Sequence, residues 1–420
     1  MPTALDLLFV SHYPASPATF GAQRRLEGLM TALAQRHSVS FVGLAPPDFD
    51  VARSERLMRA YCRDVKLVPW PEASGVSKRV AQLGSLFSFS SYQKRHMNTP
   101  ALQRAIDELL GSRRFDFVSV EEPFLAYSRF DRAPAGASRP RVVIDAHNVE
   151  FDLARQYGAA SRGLLRRIHH AANWRKMRRE EITAWRRASG VAFTSEDDRA
   201  RARSILPSLR AKVVPNGVDT ETFRPRADVP GSDGRTIVFF GTMNYFPNLD
   251  AVRWLFEEIW PSLSKRHPTA RLKIIGSHPP PDVLAMQDDR VTIAGLVDDL
   301  PRHLAEAAVV VVPLRIGGGT RLKILESLSM GKAVVSTQLG AEGILAEAGR
   351  DIVIADEPEA IVDGLVRVLD EPGLAEQLGE NGRRLVTDRY SWSAIGAEME
   401  RFFHELASGP AVREERNVQA

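Results

Sequence analysis

The chain has 420 residues, of which 44% are hydrophobic and 26% are charged, and its formal net charge at pH 7 is +4. This length exceeds what one hydrophobic core normally organises, so the composition predicts a globular protein of two domains. Its single cysteine, Cys62, excludes an internal disulfide and a cysteine-based zinc site and is expected to be a packing residue.

The start of the chain lacks the basic region of a signal peptide, and no apolar run approaches the roughly 20 residues that a membrane-spanning helix needs. We therefore expect a cytoplasmic protein. The small positive charge permits an acidic partner, but nothing in the sequence indicates nucleic acid.

The first half alternates apolar strands with helical periodicity. A strand over residues 5–10 precedes the loop 11–21 and a helix in which apolar residues recur at helical spacing. Further strands are predicted at 38–44, 65–68, 115–120, from Val142, and at 190–194 and 212–214. This alternation predicts a doubly wound parallel sheet.

Polar clusters follow several of these strands, where open parallel sheets place ligand contacts. Gly21 and Arg24 follow the first strand, and Glu121 ends another. Glu121 could orient an acceptor hydroxyl, or the turn could be an ordinary solvated loop end.

His147 ends the strand that begins at Val142. It is a catalytic candidate, although a lone histidine at a strand end is more often structural, and Asp145 either holds its ring or points away.

Two stretches of the first half are basic. In residues 70–98, cations alternate with the aromatic residues Phe87, Phe89 and Tyr92. These aromatic side chains could receive an acceptor, touch lipid headgroups or cover the domain core. Residues 155–187 predict a basic helical region with an apolar side. Its outer face is either solvated or a contact for an anionic membrane surface.

The alternation restarts after a Pro- and Gly-rich linker at 224–234. Strands are predicted at 236–241, 271–276, 290–294, 309–312, 333–336 and 351–354, and helices at 248–260, 301–307 and 394–406. Residues 408–420 are expected to be disordered.

The strand 309–312 leads into a glycine turn formed by Gly317, Gly318 and Gly319. Glycines there let the backbone approach a ligand closely, although three glycines alone also suit a flexible turn. The helix that follows, with Thr320 as its expected N-cap, offers free N–H groups and a positive dipole end to an anion.

Two cations stand at the start of this helix, Arg321 and Lys323. Each destabilises a helix N-terminus by about 0.3–1 kcal/mol, so a bound anion is the simplest explanation for them. Glu326 lies three residues beyond Lys323 on the same face, where its carboxylate could accept two sugar hydroxyls or simply face solvent beside the lysine. Together these residues predict a phosphate and sugar site.

This segment resembles the donor-binding signature of the family-4 (group 1) glycosyltransferases, similar to the sugar transferases of bacterial exopolysaccharide clusters. The resemblance implies the α/β GT-B fold, with two facing Rossmann-like doubly wound domains, an interdomain cleft and a C-terminal helix that crosses back. The implied boundaries are an acceptor domain at 1–223, a linker at 224–234, a nucleotide-sugar domain at 235–390, the returning helix at 391–406 and a tail at 407–420.

The resemblance also implies roles for individual residues. Glu326 matches the second of two family glutamates and is expected to hold the ribose, whereas the first falls on Gly318. Thr242 and Asn248, after Gly241, stand where the family commonly has Arg and Lys, so Arg321 and Lys323 are expected to supply that charge. His147 is expected to face the donor sugar, and Asn216 lies in the family's Pro-Asn-Gly-Val-Asp turn.

The implied activity is transfer of a sugar, with retention, from a nucleotide diphosphate sugar to a hydroxyl of a glycan or lipid-linked acceptor. We expect no metal, because cations stand at the phosphates, and we interpret Asp48 and Asp50 as a solvated turn. Two alternatives remain: a nucleotide-sugar epimerase of the same fold, and a degenerate GT-B protein that binds nucleotide or glycan without turnover.

Overall fold

The computed structural model describes residues 3–47, 49–70, 88, 90–160, 164–229, 231–317, 320–371 and 373–409, with the side chains of residues 157–172 excepted. The predictions for Asp48, Phe87, Phe89, Gly318, Gly319 and the end of the tail lie outside the described residues. Among the described residues, no helix combines the length and apolar character needed to cross a membrane.

The chain divides into two compact units. Unit 1 comprises the residues up to Val214 together with those from Gly396 onward, and unit 2 comprises Pro215–Ile395. Unit 2 thus begins nine residues before the predicted end of the first domain. The reason is local, because Val218 pairs with Ser391 and the side chain of Asn216 donates to the carbonyl of Thr320.

Unit 1 contains a seven-stranded parallel sheet in the order β3-β2-β1-β4-β5-β6-β7. Its strands are β1 (Asp6–Ser11), β2 (Ser38–Ala45), β3 (Asp64–Pro69), β4 (Phe117–Glu121), β5 (Arg141–Ala146), β6 (Gly190–Phe193) and β7 (Ala211–Val213). Its helices before residue 214 are α1 (Gly21–Ala34), α2 (Val51–Met58), α3 (Tyr92–Met97), α4 (Pro100–Ser112), α5 (Glu150–Ala160), α6 (Leu164–Arg187) and α7 (Glu196–Ile205).

Unit 2 contains a six-stranded parallel sheet in the order β10-β9-β8-β11-β12-β13. Its strands are β8 (Thr236–Phe240), β9 (Arg271–Ile275), β10 (Val291–Gly295), β11 (Val309–Val312), β12 (Ala333–Ser336) and β13 (Val353–Ile354). The helices are α8 (Phe246–Trp254), α9 (Trp260–Arg266), α10 (Pro281–Leu284), α11 (Leu300–Glu306), α12 (Leu322–Ser329), α13 (Pro358–Asp370) and α14 (Leu374–Arg389), and α15 (Trp392–Ser408) starts here.

Both sheets reverse their strand order beside the first strand of the unit. The reversal lies between β1 and β4 in unit 1 and between β8 and β11 in unit 2. At such a point the connections leave in opposite directions, which opens a crevice at the carboxyl ends of the strands. The predicted polar clusters after these strands therefore lie where the fold offers a ligand site.

The sheets are buried because their strands are apolar on both faces. All four valines of β11 are buried, as the unbroken apolar run predicts. Cys62 is also buried in unit 1, as predicted. From Gly396 onward α15 belongs to unit 1, where Phe403 packs 4.8 Å from Phe117 between ring centroids.

The region 155–187 is helical, as predicted, and is formed by the two helices α5 and α6. One predicted helix differs from the structure. The helix predicted over 248–260 is interrupted by a π-turn at Leu255–Ile259. Pro261 follows this turn, and because proline has no amide hydrogen it cannot continue the regular hydrogen-bond register.

Two helical glycines provide a matched test of packing. A Cβ added at Gly379 in α14 would lie 2.0 Å from the backbone oxygen of Gly331, whereas one at Gly111 in α4 would meet no atom within 4 Å. We expect Gly379→Ala to lower the free energy of unfolding by at least about 1–3 kcal/mol, because backbone must move. We expect Gly111→Ala to raise it by up to about 1 kcal/mol.

Chemical denaturation of the two variants measures this difference. Equal stability of both would show that α14 does not pack against Gly331 as closely as described.

Candidate functional sites

The unit 2 site begins at the end of β8, where the backbone turns at Gly241 with φ 152°. A Cβ there would lie 2.7 Å from Nδ2 of Asn248 and 3.0 Å from Nζ of Lys323. Glycine is therefore required both by the backbone angle and by the two side chains that close over it. These contacts bring together the end of β8 and the starts of α8 and α12.

Lys323 is the central cation of this site. Its Nζ donates to Oδ1 of Asn248 at 2.7 Å and lies 4.4 Å from the centroid of the Phe239 ring. Burial and, to a smaller extent, the nearby charge of Arg321 together lower the pKa of Lys323 to about 7, while Glu326 opposes the shift. An added anion would stabilise the charged form of this ammonium group.

Asn248 is held in place from its other end. Its Nδ2 donates to the carbonyl of Thr242 at 2.9 Å, and the Thr242 hydroxyl donates to Oδ1 of Asn244 at 2.7 Å. The amide thus presents its oxygen to Lys323 and its nitrogen to the backbone. Thr242 and Asn248, predicted from their positions after Gly241, do lie beside the predicted cation.

The helix α12 starts one residue later than predicted. Arg321 is its N-cap residue, with extended backbone angles and no side-chain capping bond, so the prediction of Thr320 as N-cap is wrong. Thr320 is instead buried, and its carbonyl accepts a 2.7 Å hydrogen bond from Asn216. Glu326 is also buried, one turn into α12.

Arg321 lies against Gly317. Its Nη2 would be 2.9 Å from a Cβ at Gly317, whose φ is 139°, so this glycine is required by both angle and space. Nη2 is also 3.7 Å from Oε2 of Glu342, a residue that the sequence did not single out. Unit 2 thus brings Arg321, Lys323, Asn216, Gly241 and Gly317 to one edge of its sheet.

The unit 1 site contains an imidazole–carboxylate pair. Nε2 of His147 is 2.8 Å from Oε2 of Glu121 and 3.9 Å from Oδ2 of Asp145. Glu121 and Asp145 are buried, whereas 11% of the His147 side chain is exposed. Glu121, predicted to orient an acceptor, therefore contacts His147, and it rather than Asp145 holds the ring.

Asp145 has a different partner, the buried Arg25 of α1. Nη2 of Arg25 donates to Oδ1 at 2.6 Å and Nε donates to Oδ2 at 2.9 Å. Such a bidentate pair fixes both groups in a low-dielectric setting. The site residues predicted from the sequence were instead Arg24, the neighbour of Arg25, and Gly21. Gly21 is exposed as the first residue of α1. The helical spacing of Arg25 with Leu29 was the available signal that its side chain points inward.

The surroundings of this pair are acidic and aromatic. Tyr13 is buried, and its pKa is raised well above the usual range by burial and by Glu121. Burial and the neighbouring Glu150 likewise raise the pKa of Glu122, a residue with φ 80°. His12 is affected in the opposite direction, because burial lowers its pKa to about 3.

Glu121, Asp145 and His147 also have the donor types of a metal site, since one ligand atom of each lies within 4.8 Å of the others. Both Asp145 oxygens, however, accept hydrogen bonds from Arg25, and Oε2 of Glu121 is paired with His147. A cation would have to displace a guanidinium group from Asp145. The donor set therefore fits an imidazole–carboxylate network better than a metal.

Comparison with known families covers most of the chain. Residues 20–222 match the family described as Glycosyltransferase Family 4, and residues 234–371 match Glycosyl transferases group 1. The GDP-mannose-dependent alpha-(1-6)-phosphatidylinositol monomannoside mannosyltransferase of Mycolicibacterium smegmatis is 27% identical over 66% of this chain and 81% of its own. The MMP alpha-(1->4)-mannosyltransferase of Mycolicibacterium hassiacum is 30% identical over 50% of this chain and 51% of its own.

Solved structures share the architecture. Sucrose-phosphate synthase of Thermosynechococcus elongatus superposes with a TM-score of 0.71 at 16% identity, covering 96% of this chain and 99% of that one. Anabaena HepE in complex with UDP and glucose gives 0.64 at 14% identity, with 96% and 100% covered. The fold is therefore GT-B, with two Rossmann-like domains. The chain belongs to the family-4 (group 1) glycosyltransferases.

The burial of Lys323 generates a prediction about folding. The unfolded lysine titrates near 10.4, well above the folded pKa of about 7, so the unfolded state binds an extra proton between these values. Without ligand, we expect the melting temperature to rise between pH 7 and 10 relative to that of Lys323→Met.

The matched control is Lys265→Met, at an exposed lysine in α9. It should track the parent at every pH. A constant difference between the parent and Lys323→Met across this range would contradict the burial of the ammonium group.

Proposed function

We propose that this glycosyltransferase transfers a sugar, with retention and without a metal, from a nucleotide diphosphate sugar to a hydroxyl of a glycan or lipid-linked acceptor. Such a reaction would serve polysaccharide or glycoconjugate biosynthesis. The observation that carries the proposal is the placement of Lys323. It lies at the start of α12, donates to Asn248 and is located at the strand-order reversal of unit 2.

The donor assignment rests on charge. The leaving nucleoside diphosphate gains negative charge as the glycosidic bond breaks, and a preorganised cation stabilises that charge best in a site shielded from water. Lys323 is such a group, and Arg321 and the N-terminus of α12 add to it. Because these groups already supply positive charge at the diphosphate, a metal is not needed there. HepE, of the same fold, was solved with UDP and glucose.

Within unit 2, Glu326 is proposed to hold the ribose of the nucleotide. It is buried at the first turn of α12 after Lys323, and a carboxylate can accept hydrogen bonds from two hydroxyls.

The acceptor assignment rests on unit 1 and on the relatives. His147 and Glu121 form a polar pair at the end of β4 and β5, where an acceptor hydroxyl could bind. The M. smegmatis relative, by its name, acts on a phosphatidylinositol monomannoside and forms an alpha linkage from GDP-mannose. GDP-mannose is itself an α-glycosyl diphosphate, so we propose the same stereochemical outcome here.

The test is an NMR assay of product stereochemistry with GDP-mannose and UDP-glucose as donors and mixed alkyl glycosides as acceptors. We expect an α-linked product, full activity in EDTA, and at least about tenfold weaker nucleotide binding in Glu326→Ala, since a hydrogen bond to a charged group contributes about 1.5–3 kcal/mol.

Each alternative has its own outcome in this assay. Conversion of the donor sugar without acceptor would identify an epimerase, and nucleotide binding without any turnover would identify a degenerate binding protein. A β-linked product would overturn retention. Loss of activity in EDTA that manganese restores would overturn the metal-free proposal.

We further propose that unit 1 contacts an anionic membrane surface. The observation that favours this is a row of exposed arginines along the second half of α6, while the opposite side of this helix is buried. The exposed arginines are Arg175, Arg178, Arg179, Arg186 and Arg187. Each cation near an anionic leaflet contributes about 1 kcal/mol, screened within roughly 8–10 Å.

We expect the protein to cosediment with anionic liposomes at low salt and to be released by about 0.5 M salt, since the attraction is screened. Changing the five arginines to glutamine should abolish cosedimentation and leave turnover on a soluble acceptor intact. A variant with five exposed arginines of unit 2 replaced (Arg224, Arg266, Arg302, Arg367 and Arg384) is the control. Sedimentation with neutral liposomes, or loss in the control alone, would contradict the proposal.

A further inference from the structure

The turn that follows β12 is fixed at the carboxyl edge of the unit 2 sheet. Oγ1 of Thr337 donates to the carbonyl of Leu314 at 2.6 Å and accepts a hydrogen bond from the amide of Gly340 at 3.0 Å. A Cβ at Gly340 would lie 2.8 Å from the carbonyl oxygen of Val312. The turn therefore packs directly on the end of β11, beside the start of the glycine turn.

Glu342 extends from this turn toward Arg321. Oε2 of Glu342 is 3.7 Å from Nη2 of Arg321, and the two side chains are 15% and 10% exposed. The same Nη2 would be 2.9 Å from a Cβ at Gly317. The carboxylate of Glu342 is thus separated from Gly317 by the Arg321 guanidinium group. Its Oε2 is buried, while 15% of the Glu342 side chain is exposed.

Two other carboxylates at this edge are less suited to contact a donor sugar. Asp250 accepts two hydrogen bonds from Arg315, at 2.9 and 3.1 Å. Only 2% of Glu326 is exposed, and it lies one turn further along α12. Glu342 is the carboxylate that combines partial exposure with contact to the N-cap residue of this helix.

The chemistry of the proposed donor determines what Glu342 would meet. In a nucleotide diphosphate sugar, the sugar ring begins one oxygen atom beyond the diphosphate. A diphosphate bound by Lys323 and the N-terminus of α12 therefore carries its sugar past Arg321 and the glycine turn. A carboxylate accepts hydrogen bonds from two neighbouring hydroxyls, and a neighbouring guanidinium group orients it.

We propose that Glu342 binds hydroxyl groups of the donor sugar and that Arg321 holds it in position to do so. The inference rests on the proposed function, because it requires a nucleotide sugar in unit 2. It assigns sugar recognition to a residue outside the glycine turn and α12, and it defines the ligand as a sugar with free neighbouring hydroxyls.

The test compares two ligands that differ only by the sugar. Calorimetry gives the affinities of GDP and GDP-mannose, and of UDP and UDP-glucose, for the parent and for Glu342→Gln. We expect the variant to bind the nucleoside diphosphates within about twofold of the parent and to bind the preferred nucleotide sugar at least about tenfold more weakly.

Deoxy sugars locate the contact. Removing the hydroxyl bound by Glu342 should weaken donor binding by the parent about tenfold and should have little further effect on the variant, because the two changes remove the same hydrogen bond. The 2-, 3-, 4- and 6-deoxy analogues of the preferred donor are compared in turn. Additive losses at every position would overturn the proposal.

The control is Glu347→Gln, a carboxylate close in sequence that is 64% exposed and pairs with Arg350 at 2.6 Å. It should leave all affinities unchanged. If Glu342→Gln proves unstable, Glu342→Asp keeps the charge but shortens its reach, and it should show the same selective loss.

Three results would overturn the inference. Unchanged binding of both ligands would remove Glu342 from the site, and equal weakening of both would show that it acts only through Arg321 on the diphosphate. If the parent binds neither nucleoside diphosphates nor nucleotide sugars, the proposed function itself fails and this inference falls with it.

Discussion

The site of unit 2 is built around one partly buried ammonium group, that of Lys323. Lys323 can remain there because Asn248 accepts its hydrogen bond, Phe239 presents a ring face and Gly241 leaves the space that any side chain would fill. Removing an isolated charge from water costs several kcal/mol, and these contacts offset part of that cost for Lys323.

The positive charge beside the end of β8 comes from another element of unit 2. Thr242 and Asn248, which follow this strand, are uncharged. The Asn248 side chain donates to the backbone carbonyl of Thr242 and accepts a hydrogen bond from Lys323, which comes from α12. Positive charge thus remains at the strand-order reversal although it is attached to a different element.

Much of the fold follows from local sequence. The valines of β11 are buried where the apolar run predicted them, because a strand covered on both faces has no polar alternation to misplace. The start of α12 was predicted less well. Thr320 is a good capping residue by type, yet its carbonyl is fixed by Asn216, which is 104 positions earlier in the chain. Local preference yields to such a contact.

The unit 1 site shows the same limit more strongly. His147 was predicted as a candidate, but its partner Glu121 is 26 positions away and the Arg25 that holds Asp145 is 120 positions away. Strand alternation in the sequence could not show whether Asp145 or Glu121 contacts His147, because the pairing of neighbouring strands sets that geometry.

The path of α15 affects the order in which the protein can be completed during synthesis. Its later residues belong to unit 1, where a Cβ at Gly190 would lie 2.7 Å from Phe402 and where Gly396 packs on Ala32. The residues up to Val214 are synthesised first. Their contacts with α15 can form only after the roughly 180 residues of unit 2 have been made. At about 5–20 residues per second, that delay is roughly 10–40 s. During this interval the apolar surface of unit 1 that α15 later covers stays exposed.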